Sequence, residues 1–494
     1  MFRINALVWI IQVPGRHETS SRRDREYEAL PGVRETLEAI KSGAPVILVS
    51  GRAGTGKSRL IDYISRFGHG RQAVVAPTGV AALGLGATTV HSTFRIPIGG
   101  VCDARRPLPQ LDAESLALLR GMSRLVIDEI SMLRADHLDV VDARLRAARG
   151  SPLPFGGVQV IMVGDFLQLP PVTTESDRQR LSLLGYETPW AFSARVLARS
   201  APRSVNLPRV LRQSDPAFIS ALSSIRDGSA GSLVIDALND LCHGSHRDGV
   251  EPLVIVARRK DAERRNQAAL ERLIASPARP HHACIRASFA GTLAEERTGS
   301  ALPVAPALHV AVGSRVMATR NDPAGRFANG SLGTVLDLEE ETAGVTVLFD
   351  GKGDPCFVEP VEWTERRLTW DGAHERVVSR IVGTAKGLPL APGHAITAHK
   401  AQGLTLDDVR LDLGGRVFEA GQLYVALSRA RGIAGLSFAS PLQPHDVLVD
   451  NAALAACRRD FARNWPWLHE TAAPPGAAVV AAPQADSVSD CLFA

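Results

Sequence analysis

Short apolar runs alternate with amphipathic segments through the first 200 residues of the chain. Four of these runs have the length of buried strands: VILVS (46–50), AVVAP (73–77), LVID (125–128) and VQVIMVG (158–164). Between them, segments such as 59–67 and 135–148 have the apolar spacing of helices. Strands that alternate with helices predict a parallel sheet covered on both faces, which is an α/β fold.

The pattern changes after residue 305, where strand-like segments such as HVAVGSRVMATRND and GVTVLFDG are separated by turn clusters with little helical periodicity. This region is typical of a small β-rich insert. The pattern predicts six parts: an N-terminal extension (1–29), a first α/β domain (30–204) with a small accessory insert (about 92–115), a second α/β domain in two parts (205–305 and 387–470), the β-rich insert between those parts (306–386), and a disordered Ala/Pro-rich tail (471–494).

Composition excludes several classes of protein. The 56 Lys and Arg exceed the 52 Asp and Glu by only four charges, which excludes a protein that binds by bulk positive charge. The 6 cysteines are scattered without a C-x-x-C pair, which argues against a zinc site, an iron–sulfur cluster or a disulfide framework. No apolar run reaches the ~18 residues of a membrane helix. We expect a cytoplasmic protein that does not enter membranes.

The motif GRAGTGKS between a buried strand and an amphipathic helix is the strongest chemical signal in the chain. Its glycines allow successive backbone N–H groups to surround a phosphate chain, and the helix N-terminus adds partial positive charge. Lys57 is predicted to reach the β- and γ-phosphates, and Ser58 to ligate Mg²⁺. The predicted phosphate-binding residues are Gly51, Gly54, Thr55, Gly56, Lys57 and Ser58.

Another predicted strand, LVID, ends in Asp128 and is followed directly by Glu129. Ligands of open α/β folds bind at the carboxyl ends of the strands, so Asp128 is predicted to hold Mg²⁺ and Glu129 to orient or deprotonate an attacking water. The third strand ends in GDFLQLPPV, which places Gln168 where it could sense a γ-phosphate.

Eight ordered motifs between about residues 40 and 440 resemble those of superfamily 1 helicases, and are most similar to the PIF-type DNA helicases. They are GRAGTGKS, APTGVAALGLGATTVHS, IDEISM, PFGGVQVIMVGDFLQLPPV, LRQSDPAFISALSSIRDG, NGSLGTV, HAITAHKAQGLTLDDV and GQLYVALSRA. The resemblance implies two RecA-like domains with ATP and Mg²⁺ in the cleft between them, and a Src-homology-3-like barrel as the β insert. It also implies a motor that moves 5′ to 3′ on single-stranded DNA and unwinds forked or structured DNA.

The same resemblance assigns roles to residues of the second domain. Arg212 resembles the arginine that contacts the γ-phosphate, and Arg429 resembles the arginine finger that stabilises charge in the transition state. Gln402 and Gln422 resemble polar residues that line the same cleft. An arginine that reaches the phosphates only when the cleft closes would couple hydrolysis to domain motion.

Seven further residues resemble family positions that hold single-stranded DNA. They are Pro77, Thr78, His91 and Phe94 of the first domain and His399, Lys400 and Thr405 of the second. Small and polar side chains suit backbone contacts that do not read sequence, and Phe94 is interpreted as a residue that stacks on a base or wedges the duplex, with core packing as the alternative.

Three other functions stay open at this point. A RecD-like subunit of a nuclease complex is a close rival, which the PFGGVQ segment and the lack of nuclease carboxylate clusters disfavour. A non-motor ATPase switch would need the loops at 77–91 and 399–405 to be merely structural. An RNA helicase of the same superfamily is the third, although no recognisable feature senses a 2′-hydroxyl. We expect a monomer, associated with the bacterial nucleoid, with unknown protein partners.

The chain departs from the family in front of its first strand, where these helicases carry a glutamine that reads adenine. The segment here is PGVRETLEAIKSG, and no glutamine occurs between Gln12 and Gln72. We therefore predict weak discrimination between nucleotide bases, so that ATP and GTP are hydrolysed at similar rates in a steady-state assay. A large preference for ATP would contradict this prediction, and Val33→Gln is the control that restores the family side chain.

Overall fold

A computed structural model describes residues 22–67, 71–97, 100–242, 251–278, 280–295, 302–339, 341–414, 417 and 419–461. The predicted tail (471–494) and most of the predicted N-terminal extension lie outside the described residues. In the described ranges no helix combines the length and the apolar character that crossing a membrane requires.

The first domain is built on a six-stranded sheet of order β3-β2-β4-β5-β1-β6, in which every pair of neighbours is parallel. Its strands are β1 Val46–Gly51, β2 Gln72–Ala76, β3 Thr88–Thr89, β4 Arg124–Ile127, β5 Gln159–Gly164 and β6 Arg203–Leu207. Its helices are α1 Arg22–Glu28, α2 Pro31–Lys41, α3 Lys57–Phe67, α4 Gly79–Gly84, α5 Val90–Phe94, α6 Ala113–Gly121, α7 Ala135–Arg149, α8 Glu175–Leu183 and α9 Arg195–Ser200.

Both faces of this sheet are buried, as its continuous apolar runs predict. Along β1, Val46 and Leu48 belong to one apolar core, whereas Ile47 and Val49 belong to a second. Successive side chains of a strand point to opposite faces, so the two cores lie on the two sides of the sheet. The predicted α/β fold is confirmed.

The second domain begins with α10 Pro216–Asp227, α11 Ser232–Cys242, β7 Leu253–Val256 and α12 Arg259–Ile274. The two strands that flank β7 in its sheet belong to the part of the chain that follows the β-rich insert. The chain therefore leaves this domain after α12 and returns to it later.

Within its described residues, the β-rich insert contains three sheets and one short helix. Its elements are β8 His282–Arg286, β9 Ser288–Gly291, α13 Thr292–Glu295, β10 Ala307–Ala311, β11 Arg315–Ala318, β12 Leu332–Glu339, β13 Gly344–Phe349, β14 Cys356–Val358, β15 Val361–Asp371, β16 Arg376–Gly387 and β17 Leu390–Pro392. The sheets have the orders β14-β13-β12-β11-β17, β10-β8 and β15-β16-β9. The strands thus extend beyond both predicted limits of 306 and 386, because β8 and β9 before the first limit and β17 after the second pair with strands inside the insert. The Src-homology-3-like barrel stays a prediction.

The second domain resumes with β18 Ala395–Thr397, α14 Ala398–Ala401, β19 Val409–Asp412, α15 Gln422–Leu427, β20 Leu436–Phe438 and α16 Asn451–Phe461. Its parallel sheet has the order β18-β7-β19-β20. The last helix, α16, returns to the first domain, where Ala453 and Cys457 are fully buried in the core. Just before that helix, Asp450 Oδ2 accepts a hydrogen bond from Trp190 Nε1 at 3.0 Å.

The long hairpin of β15 and β16 packs against the first domain. Trp370 lies against Gly121 at the end of α6, where a Cβ would come within 2.3 Å of the indole ring, so the contact requires glycine. Arg71 forms an ion pair with Glu375, and Arg380 Nη1 lies 3.6 Å from Glu114 Oε1. The insert therefore contacts both α/β domains, since Met317 and Leu332 belong to the core of the second.

The position of Phe94 contradicts the prediction that its ring stacks on a base or wedges the duplex. Its side chain is 0% exposed and belongs to the main core of the first domain. A ring without accessible surface cannot stack on a base or wedge a duplex, so the core-packing alternative is the one that the structure supports.

Truncation of this ring tests the correction. Phe94→Ala is expected to destabilise the first domain by about 3–5 kcal/mol through lost burial and a cavity, measured by urea denaturation. Phe94→Leu is the control and should lose much less. A Phe94→Ala variant that keeps its stability but loses affinity for single-stranded DNA would restore the stacking interpretation.

Candidate nucleotide cleft and nucleic-acid interface

The phosphate loop connects β1, which ends at Gly51, to α3, which begins at Lys57. Two of its glycines have positive φ angles, 78° at Gly54 and 87° at Gly56, a region that favours glycine. A Cβ on Gly54 would also lie 2.6 Å from Arg212 Cβ. The loop therefore needs glycine both for its curvature and for the close approach of the segment that leads into the second domain.

The Lys57 ammonium is held inside this loop. Its Nζ donates to the carbonyl oxygens of Gly51 at 2.7 Å and Arg52 at 3.1 Å. Burial lowers the pKa of Lys57, whereas the nearby carboxylates of Asp165 and Glu129 act in the opposite direction. The side chain thus places its amino group within reach of acidic groups, in a loop shaped to receive phosphate.

Two carboxylates follow β4, of which Asp128 is buried and Glu129 is half-buried. Asp128 Oδ1 accepts a hydrogen bond from the Glu129 backbone N–H at 2.8 Å, and Glu129 has a left-handed backbone with φ of 47°. Burial raises the pKa of both groups. Glu129 Oε2 is buried without a hydrogen-bond partner among the described residues, and so is Nε2 of the neighbouring Gln402. A buried carboxylate oxygen without a partner is suited to accept a proton or a hydrogen bond from a ligand or water.

Two arginines of the predicted set approach the same region from the side of the second domain. Arg429 is 2% exposed, and its guanidinium donates to Val425 O at 2.8 Å and Ser428 Oγ at 2.7 Å. Burial, followed by the positive charge of Arg212, lowers the pKa of Arg429 to about 9. Arg212 Nη1 donates to Ser428 O at 3.0 Å. Two cations held close together in a buried place favour a site for an anion.

A cleft of about 500 Å³ brings most of these groups together between the two α/β domains. Among the predicted residues, it is lined by Gly54, Thr55, Gly56, Lys57, Ser58, Glu129, Gln168, Arg212, Thr405 and Arg429. Arg431 also lines it and was not predicted, although it stands two residues after Arg429 in the chain. Thr405 therefore lies on the nucleotide side of the second domain, not only beside the loop predicted to hold DNA.

Four residues predicted for this site do not line the cleft. Gly51 and Asp128 are buried next to residues that line it, and Gln402 lies beside Glu129. The structure contradicts the prediction that Gln422 lines the cleft. This residue is 0% exposed, and its Nε2 donates to Ala257 O at 3.3 Å inside the second domain. The first turn of α15 points this side chain into the domain interior, so it cannot contact a nucleotide in this conformation.

The predicted DNA-contacting residues fall on both domains. In the first domain, Thr78 and Pro77 are partly exposed after β2, and Thr78 Oγ1 accepts from the Ala81 N–H at 3.3 Å. His91 is half-buried in α5. In the second domain, Lys400 is exposed and His399 Nε2 lies 3.2 Å from Glu419 Oε2.

The position chosen above for the family glutamine, Val33, does not face the nucleotide cleft. Val33 is 2% exposed and packs in the core under α2, so a glutamine at this position would be buried, and Val33→Gln is the wrong control. Tyr27 instead reaches the phosphate loop, where its hydroxyl donates to Gly56 O at 3.1 Å and the Arg59 guanidinium lies 4.2 Å from its ring centre.

A buried ion pair joins the two domains next to the cleft. Arg226 Nη2 of α10 lies 2.7 Å from Asp165 Oδ1, and neither side chain is exposed. Although burial acts to raise it, the pKa of Asp165 is lowered by the Arg226 guanidinium. Asp165 Oδ2 also accepts from Gln168 Nε2 at 3.1 Å, so the pair orients a cleft residue.

Sequence reasoning missed Arg226, and it also missed Tyr424, whose hydroxyl accepts from the Ala53 N–H of the phosphate loop at 2.8 Å. Both lie inside the motifs LRQSDPAFISALSSIRDG and GQLYVALSRA, which were the only available signal.

Comparison with known proteins shows that the chain is similar to one family of helicases. Residues 33–231 match the model of the PIF1-like helicases. The chain is 33% identical over 433 residues to the ATP-dependent DNA helicase Pif1 of Bdellovibrio bacteriovorus, a match that spans 87% of this chain and 91% of that protein. It is 34% identical to the human ATP-dependent DNA helicase PIF1 over 410 residues, which are 81% of this chain but 59% of the human protein.

Solved structures of Bacteroides Pif1 have the same fold. The complex with ADP-AlF4 has a TM-score of 0.78 and 31% identity, and the match covers 88% of this chain and 97% of that one. The complex with ADP-AlF3 and single-stranded DNA has a TM-score of 0.63 and 32% identity, with coverages of 87% and 96%.

Removal of one partner from the buried ion pair tests its importance. Arg226→Met is expected to destabilise the protein by about 3–5 kcal/mol, because the Asp165 charge stays buried without a counter-ion, measured by denaturant unfolding. Arg264→Met, at a largely exposed arginine of α12, is the matched control and should leave stability unchanged. An Arg226→Met variant as stable as the unmodified chain would contradict this account.

Proposed function

This chain belongs to the PIF1-like helicase family, and from this premise we propose that it is an ATP-driven DNA helicase that translocates 5′ to 3′ on single-stranded DNA. The observation that carries the proposal is the cleft between the two domains, where Lys57 and Glu129 of the first domain face Arg212 and Arg429 of the second. Such a cleft can act only when the domains approach each other, which is the arrangement that a motor requires.

Nucleotide binding follows from the phosphate loop and from the relatives. Bacteroides Pif1 has been solved with ADP-AlF4, and the corresponding fold here contains a complete GRAGTGKS loop. We assign the β- and γ-phosphates of ATP to the loop N–H groups and to Lys57, which would exchange its carbonyl partners for phosphate oxygens. Arg212 is assigned to the γ-phosphate and Arg429 to the charge that develops during transfer.

The donor set next to Lys57 fits Mg²⁺. Ser58 lines the cleft, and the buried carboxylate of Asp128 lies within electrostatic reach of Lys57. Hydroxyl and carboxylate oxygens are the ligands that Mg²⁺ prefers, and these two residues would hold it. The ion would neutralise phosphate charge, and its own charge would favour the ionised form of Asp128.

Glu129 is assigned as the residue that orients and deprotonates the attacking water. Its unpartnered Oε2 provides the acceptor, and its raised pKa brings a carboxyl closer to the range useful for a base at neutral pH. Gln168, fixed by Asp165, is assigned as the sensor of the γ-phosphate. These roles distribute the chemistry over the ends of β4 and β5.

Single-stranded DNA is the proposed track. Bacteroides Pif1 has been solved with single-stranded DNA, and a further solved structure concerns DNA unwinding at forked double-stranded DNA by two coordinating Pif1 helicases. The exposed Lys400 and half-exposed His399 provide backbone contacts on the second domain, and Pro77, Thr78 and His91 on the first. Two grips on domains that alternately close and open would move the strand. Forked DNA is the proposed substrate, and a monomeric state stays a prediction.

The experiment compares ATPase rates without nucleic acid, with single-stranded DNA and with single-stranded RNA. We expect strong stimulation by DNA and unwinding of a duplex with a 5′ tail. Lys57→Ala should abolish turnover, whereas Arg429→Ala should retain nucleotide binding and lose about 10³–10⁵-fold in rate, as for an arginine finger.

Arg264→Ala provides the control, since this arginine lies on the exposed side of α12 and should leave every rate unchanged. Absence of stimulation by either nucleic acid would reject the motor and favour a non-motor ATPase. Stimulation by RNA alone would reject DNA as the track, and a fully active Arg429→Ala would reject the finger assignment.

A further inference from the structure

A group of metal-ligating side chains lies on the first domain, outside the lining of the nucleotide cleft. Cys102, Asp136 and His137 each place one ligating atom within 4.8 Å of the other two. The cysteine precedes α6, and the other two residues stand in the first turn of α7. Cys102 and Asp136 are 34 residues apart, so no short cysteine spacing in the sequence marks this group.

His137 supplies the observation that points to a ligand. The residue is 7% exposed, and its Nε2 has no hydrogen-bond partner among the described residues. That nitrogen lies 3.8 Å from Asp136 Oδ2, too far for a hydrogen bond. A buried ring nitrogen without a hydrogen-bond partner is suited to ligate a metal ion.

Asp136 is held in place by its neighbours. Arg134 donates to both carboxylate oxygens, from Nε at 2.9 Å and from Nη2 at 2.6 Å, and the Cys102 N–H donates to Oδ2 at 2.8 Å. The last bond fixes the cysteine backbone beside the carboxylate. Such contacts orient a ligand before a metal arrives, and the positive charge of Arg134 moderates the affinity for a cation.

His91 adds a second imidazole at the edge of the group. Its ring meets the ring of His137 edge to face, with 4.7 Å between the ring centres. If this half-buried side chain rotated, His91 would offer a fourth ligand to a metal ion held by the other three residues. Otherwise a water molecule would take the fourth position.

We propose that Cys102, Asp136 and His137 form a binding site for a divalent transition metal of the zinc class. A thiolate, an imidazole and a carboxylate are the donors that Zn²⁺ takes in a tetrahedral site. The cation replaces the proton of the Cys102 thiol, which is released to water, and the thiol is half-buried and free. Bound metal would fasten the segment before α6 to α7 and would hold His91, a proposed DNA contact, at their junction.

The test uses tag-free full-length protein titrated with Co²⁺, whose bond to a thiolate gives a charge-transfer absorption band. We expect one equivalent to bind with this band, and Zn²⁺ to displace it. Cys102→Ser should remove the band, and His137→Ala should weaken binding at least about 10-fold. Cys284→Ser is the matched control, because that exposed cysteine lies beside His309 and offers an alternative surface pair.

A second measurement needs no variant. Zn²⁺ should slow alkylation of Cys102 in the unmodified protein, followed by mass spectrometry, and leave Cys284 unprotected. The proposal fails if no thiolate band forms, if the band survives Cys102→Ser but not Cys284→Ser, or if Zn²⁺ leaves the alkylation of Cys102 unchanged.

Discussion

The ion pair between Asp165 and Arg226 is the interaction on which the relation of the two α/β domains depends. Both side chains are withdrawn from water, so each charge is tolerable only because the other is present. Asp165 follows β5 and orients Gln168, whereas Arg226 belongs to α10. One wall of the cleft is therefore fixed to a helix of the opposite domain, and motion between the domains has to pivot about this pair or break it.

The remaining site geometry follows from parallel strands that end at one edge of a sheet. The phosphate loop follows β1, the two carboxylates follow β4, and Asp165 follows β5. These three strands are neighbours in the order β4-β5-β1, so residues far apart in sequence converge without any special loop. The second domain contributes cations to the same edge from the other side, and burial lowers the pKa of both Arg212 and Arg429.

Sequence predicted the parts of the site that are encoded locally. The phosphate loop and the Asp128–Glu129 pair are contiguous with apolar strands, so their place at the strand ends follows from the pattern itself. Phe94, Gln422 and Val33 could not be assigned in this way, because a helix carries both buried and exposed positions and only packing decides between them. The Cys102–Asp136–His137 group and the Asp165–Arg226 pair depend on distant segments, which no local pattern records.

The path of α16 has a consequence for how the chain is made. Ala453 and Cys457 complete the core of the first domain, although they are synthesised some 250 residues after its last strand. During synthesis from the N-terminus, the earlier part of that core stays open on one side until nearly the whole described chain has left the ribosome. The first domain is thus translated before the second but can complete its core only after the second has been translated. The two α/β domains therefore cannot finish folding independently of each other.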